Sequence, residues 1–83
     1  MPPQEQHDLA RLGKALRALR EERALTVSAL AAASAVSEAT ISALEAGRLD
    51  PDFQLLLDIA AAIGVRPSEL VSRAEQLAGD ADA

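Results

Sequence analysis

Residues 27–47 read Val-Ser-Ala-Leu-Ala-Ala-Ala-Ser-Ala-Val-Ser-Glu-Ala-Thr-Ile-Ser-Ala-Leu-Glu-Ala-Gly, and no other stretch restricts the fold as much. Two short helical patterns flank a break at Ala35-Val36-Ser37. Leu30 and Ala31 mark the apolar face of the first pattern, and Ile41 and Leu44 that of the second. Val36 falls between them, where one apolar side chain can plug the angle between two crossed helices.

The rest of the chain is patterned in the same period. From Asp8 onward, Leu9, Leu12, Leu16 and Leu19 recur at three- and four-residue steps, which predicts an amphipathic helix ending near Arg23-Ala24. Its outer face carries Arg11, Lys14, Arg17, Glu21 and Arg23. Thr26 has the right chemistry to cap a second helix running to about Ala33. Ser37 is an equal cap for a third, ending at Glu45 or Ala46, with Gly47 as a permissive stop. Asp52 closes the loop Leu49-Asp50-Pro51-Asp52 and can cap a fourth helix over Phe53–Ile63. Phe53, Leu56, Ile59, Ala60 and Ile63 form its inner face, and Gly64 ends it. Pro67 suits the first turn of a fifth helix, with Leu70, Val71, Ala74 and Leu77 on one side. The predicted organisation is a disordered lead-in over residues 1–7, one domain over 8–78 and a frayed tail over 79–83.

Composition agrees with an all-α chain. Hydrophobic residues make up 49% of the 83, with one phenylalanine and no tyrosine or tryptophan. Most are alanine and leucine, strong helix formers, while β-branched residues are scarce. One domain with a small core follows. No apolar run approaches the ~20 residues of a membrane span. The opening Met-Pro-Pro-Gln-Glu-Gln-His lacks the basic and apolar regions of a signal peptide. The absence of cysteine rules out disulfides and thiolate metal sites. A soluble, cytoplasmic protein is the expectation.

Catalysis finds no support. The single histidine, His7, lies in the lead-in, so a Ser-His-Asp arrangement has no base. No metal-ligand cluster, phosphate-cradling glycine loop or dinucleotide fingerprint appears. The expectation is a non-enzyme without metal or cofactor.

The break at Ala35-Val36-Ser37 has the spacing of a helix-turn-helix, whose second helix can enter the major groove of DNA. Charge opposes a simple reading, because the net formal charge is −5 and nucleic-acid binders usually show a basic footprint. The acid is concentrated away from the third helix, however. Residues 1–50 carry six Lys/Arg against seven Asp/Glu, and residues 51–83 carry two against six.

The match extends beyond the two helices. The segments Leu12-Gly13-Lys14-Ala15-Leu16-Arg17-Ala18-Leu19-Arg20-Glu21, Leu30-Ala31, Val36-Ser37, Thr40-Ile41-Ser42 and Leu44-Glu45-Ala46-Gly47 stand in register with Pro51, Ile59-Ala60-Ala61-Ala62-Ile63-Gly64-Val65 and Pro67-Ser68-Glu69-Leu70. Together they resemble the phage-repressor-like (XRE-type) helix-turn-helix family of transcriptional regulators over roughly residues 9 to 71. The resemblance implies a five-helix, lambda-repressor-like DNA-binding domain. Leu12, Leu16, Leu19, Leu30, Ile41, Leu44, Ile59 and Ile63 would fill its core. Ala31 and Ala60 would be small where helices approach.

What the resemblance implies about function is specific. An arginine matching Arg20 commonly pairs with the glutamate matching Glu45. Base reading would fall to Ser37, Glu38, Ala39, Thr40, Ser42 and Ala43. The hydroxyls can bond phosphates or base edges, Glu38 can accept from a cytosine amino group, and the alanines can touch a thymine methyl. Arg48 is the first candidate for a phosphate contact, followed by Lys14 and Arg11. Double-stranded DNA would be bound by a homodimer on half-sites about one helical turn apart. Leu55, Leu57, Val65, Val71 and Leu77 exceed what a five-helix core needs, and are candidates for that pairing.

Three departures weaken the DNA grip without touching the fold. Val27 stands where a polar glutamine is frequent, and Ala43 and Ala46 where longer polar side chains are frequent. Ala35 replaces a common glycine, so the turn is built either without positive φ or with strain. The alternative is therefore a helix-turn-helix fold used on a protein partner, an antitoxin-like role included.

Overall fold

The structure, a computed structural model, describes the backbone of residues 4–82 and the side chains of residues 8–77. These residues form five helices: α1 (Gln4–Glu22), α2 (Val27–Ser34), α3 (Glu38–Glu45), α4 (Phe53–Ile63) and α5 (Pro67–Asp82). α1 begins at Gln4, inside the span expected as a lead-in over residues 1–7. Residues 1–3 and the side chain of His7 lie outside the described residues. The tail expected from residue 79 is helical to Asp82 in the same way. In both cases polar residues that carry no apolar period continue a helix already nucleated by its packed part, and adding a residue to an existing helix is cheap.

The helix starts follow from side-chain chemistry. Thr26, Ser37 and Asp52 have extended backbones, and their oxygens accept from the N–H groups of Ala29, Thr40 and Leu55 at 3.0, 3.1 and 2.8 Å. Each satisfies one of the donors a helix start leaves open. Arg66 is capped in reverse, its N–H donating to the Glu69 carboxylate at 3.2 Å.

The ends of α1 to α4 share one device, a left-handed residue. Ala24, Ala35, Gly47 and Gly64 have φ of 56°, 59°, 72° and 89°. At three of them the next N–H reaches back to the helix: Leu25 to the Arg20 carbonyl, Arg48 to Ala43 and Val65 to Ala60, at 3.1, 2.9 and 3.0 Å. Ala35 resolves the question of the turn in favour of strain. An L-residue with a Cβ in this region carries about 1–2 kcal/mol that glycine does not. Ala35→Gly is therefore expected to stabilise the protein by about 0.5–1 kcal/mol, the gain being reduced by glycine's freer unfolded chain. Thermal melting checks it; a lower midpoint for Ala35→Gly would mean the turn is not left-handed.

One core unites the helices. Ala15, Leu16, Leu19, Leu30, Ile41, Leu44, Ile59, Ala60, Ile63, Val65 and Leu70 are buried. Leu12, Val36 and Ala31 are partly buried against them. Val65 is thus a core residue and not a candidate for pairing with a second chain, the turn after α4 having folded it into the buried cluster. Leu55 and Leu77 also pack against the core. One expectation about faces fails: Phe53, assigned to the inner face of α4, is 70% exposed. Val71, a candidate for pairing, is 47% exposed. Both lie at the margin of an apolar stripe that is wider than the surface covering it.

Charged contacts tie the ends together. Arg73 on α5 donates two hydrogen bonds to the Glu22 carboxylate at the end of α1, at 2.6 and 3.1 Å. The hydrogen bonds from Arg73 lower the Glu22 pKa, although both groups remain in contact with water. Among the described residues no single helix is long and apolar enough to cross a membrane.

Candidate nucleic-acid interface

α2 and α3 turn through 117° about the three residues Ala35-Val36-Ser37. That bend lies in the range of helix-turn-helix units, roughly 90–120°. Ser34 supports the turn: its hydroxyl donates to the Leu30 carbonyl at 2.7 Å and accepts from the Val36 N–H at 3.3 Å.

α3 is only eight residues long, too short to hold its direction unaided, so its setting comes from α1. Ile41 and Leu44 are buried on its inner side. At its C-terminal end the backbone meets Gly13. A Cβ built at Gly13 would contact the Leu44 carbonyl oxygen and lie 2.6 Å from that of Glu45. Only a glycine lets the helices approach this closely. Gly47 repeats the constraint, since a Cβ there would lie 3.0 Å from Ala10 Cα.

The Arg20–Glu45 pair locks the same junction. Arg20 Nε and Nη2 donate to the two Glu45 oxygens at 2.7 and 3.0 Å, and Nη1 donates to the Leu25 carbonyl at 2.8 Å. The side chains are 11% and 10% exposed. The Glu45 hydrogen bond raises the Arg20 pKa further above its already high value, so the guanidinium is charged throughout the working range. α1 end, α1–α2 turn and α3 end are joined through one side chain.

The outward side of α3 is then defined by exclusion. Glu38, Ala39, Ser42 and Ala46 are exposed, and Thr40 and Ala43 are half-buried. Ser37 and Thr40 share a hydroxyl–hydroxyl bond of 2.7 Å, and Ser37 also caps the helix. Both hydroxyls are therefore engaged at the start of α3.

The candidate cations separate. Arg48 follows the left-handed stop of α3 and is exposed. Lys14, beside Gly13 on α1, is also exposed. Neither has an ion pair among the described residues. Arg11 is different: it pairs with Asp8 at 3.2 Å and lines an apolar groove with Leu12, Val71 and Ala74. Two residues along a helix is about 200° of rotation, so Arg11 points away from the α3 contact made by Gly13. It is separated from the outward side of α3. Sequence reasoning quoted Gly13 without giving it a reason and missed the Glu22–Arg73 tie, which spans 51 residues. The signal for Gly13 was present: a glycine inside a strongly periodic helix marks close packing.

The family profile described as a helix-turn-helix domain matches residues 11–74. The restriction-modification controller protein C.AhdI from Aeromonas hydrophila is similar at 30% identity and a TM-score of 0.75, covering 76% of this chain and 96% of its own. The clp gene regulator ClgR from Corynebacterium glutamicum is similar at 32% identity and a TM-score of 0.80, covering 90% and 84%. An HTH_3 family transcriptional regulator from Vibrio cholerae has 26% identity and a TM-score of 0.80, covering 88% of this chain and 41% of its own. A search of curated proteins finds no match.

Proposed function

Because this chain belongs to the helix-turn-helix domain family, we propose that it is a DNA-binding transcriptional regulator, a repressor or autoregulator acting on operator DNA as a homodimer. The observation that carries the reading is the rigid presentation of α3. Gly13, the Arg20–Glu45 pair and the buried Ile41 and Leu44 hold one side, leaving Glu38, Ala39 and Ser42 outward. In the proposed complex α3 lies in the major groove, with Arg48, Lys14 and the N-termini of α2 and α3 on phosphates.

Pairing is supported by an unfilled stripe. Phe53, Leu57 and Ala61 recur at four-residue steps on α4, and the chain's only aromatic residue is left exposed there. Such a face suits a self-complementary, two-fold interface. Phe53 takes the place of Val65 among the candidates, and Leu57 and Val71 remain.

Selection of bound sequences from a random DNA pool, at low and near-physiological salt, tests the reading. An inverted repeat with half-sites about one helical turn apart is expected. No enrichment from folded, dimeric protein would transfer the α3 face to a protein partner, as the shortage of cations on α2 and α3 would then explain. On the selected site, Arg48→Ala is expected to weaken binding about equally for all sequences and to reduce the salt slope by about one. A changed base preference in Arg48→Ala would contradict a phosphate contact.

A further inference from the structure

Between Ala24 and Gly47 the chain holds only two ionisable side chains, Glu38 and Glu45. Arg20 neutralises Glu45. Glu38 is exposed in the first turn of α3, and no hydrogen bond or ion pair engages its carboxylate among the described residues. Its outward neighbours are short, so Glu38 extends furthest from the helix: Ser37 and Thr40 are bonded to one another, and Ala39, Ser42 and Ala43 end at or just beyond Cβ. Within α3 itself, Glu38 is therefore the one charge without a partner among the described residues.

We propose that Glu38 is a negative discriminator, which penalises DNA sites except those placing a cytosine amino group against it. The inference rests on the reading of α3 as the base-contacting helix. An ionised carboxylate only accepts hydrogen bonds. In the major groove guanine offers acceptors, thymine an acceptor and a methyl group, and only cytosine N4 and adenine N6 donate. Adenine sets its donor beside the N7 acceptor, which repels a carboxylate, whereas the cytosine amino group has only a C–H neighbour on its outer side. Over guanine or thymine the carboxylate sheds water without a replacement partner, and over adenine it gains the N6 donor only against the N7 lone pair. No long side chain on the same face offsets that loss. A cation here would strengthen binding to all sequences; an acid sacrifices general affinity and gains selectivity.

The test compares the full chain with Glu38→Gln by fluorescence anisotropy. The probes are a random duplex, the selected duplex, and duplexes varied at each half-site base pair. Glu38→Gln is expected to bind random DNA roughly threefold to tenfold more tightly at low salt, with the gain shrinking as salt rises. The cytosine preference at one half-site position should fall about tenfold or more, with a shift toward adenine, which glutamine contacts through both N6 and N7. If Glu38 only stabilised its helix, the variant would melt lower and bind every duplex equally or more weakly. That result, with the wild type still selecting a site, overturns the discriminator and leaves the reading helix standing. A wild type that binds no duplex overturns both.

Discussion

Gly13→Ala is expected to lower the melting midpoint by roughly 10–20 °C, from a loss of about 2–3 kcal/mol. The sign is a contest, since alanine in a helix interior is favoured over glycine by up to about 1 kcal/mol. Packing wins here because the obstacle is backbone. The added methyl would meet the Leu44 carbonyl and sit 2.6 Å from the Glu45 oxygen and 2.9 Å from its carbonyl carbon, where ordinary contact needs about 3.5–4.0 Å. No rotamer change relieves that overlap, so α1 and α3 must separate. Separation also loosens Leu16, Leu19, Ile41 and Leu44 and stretches the Arg20–Glu45 bonds. Circular dichroism melting decides it. An unchanged or raised midpoint would mean the two helices do not pack this closely.

Arg20→Met is expected to cost about 3 kcal/mol, the low end for breaking a buried pair because both partners keep about a tenth of their surface in water. The loss comes chiefly from what remains: a Glu45 carboxylate without a partner and a Leu25 carbonyl without its donor. Removing both charges should hurt less than removing one. Arg20→Met with Glu45→Leu is expected to recover more than 1 kcal/mol of the single-variant loss. Denaturant melts of the four proteins measure the coupling, and strictly additive losses would show that the pair is not what joins α1 to α3. For a domain whose whole stability is about 5–15 kcal/mol, either change also threatens the fixed direction of α3.

The parts legible in the sequence are those settled within one helical turn. Thr26, Ser37 and Asp52 act three residues away, so their side-chain oxygens define where α2, α3 and α4 begin before any tertiary contact forms. The three- and four-residue spacing of Leu12, Leu16 and Leu19, and of Ile41 and Leu44, likewise identifies helices and their inner faces. Periodicity gives the centre of a buried face and says little about its width. Phe53 and Val71 stand at the margins of such faces and stay exposed, while Val65, in a turn with no period, is buried.

By itself, then, the sequence determined an all-helical chain of five elements, their capped starts, the bend at Ala35-Val36-Ser37 and the residues available on α3, because each depends on neighbours in the chain. Tertiary structure decided how α3 is held and which charges stand near it. The Gly13 contact, the Arg20–Glu45 and Arg73–Glu22 pairs and the turning away of Arg11 all join or separate residues that only the packing of helices brings together. Glu38 belongs to both accounts: its charge is written in the sequence, but its lack of a partner is a property of the fold.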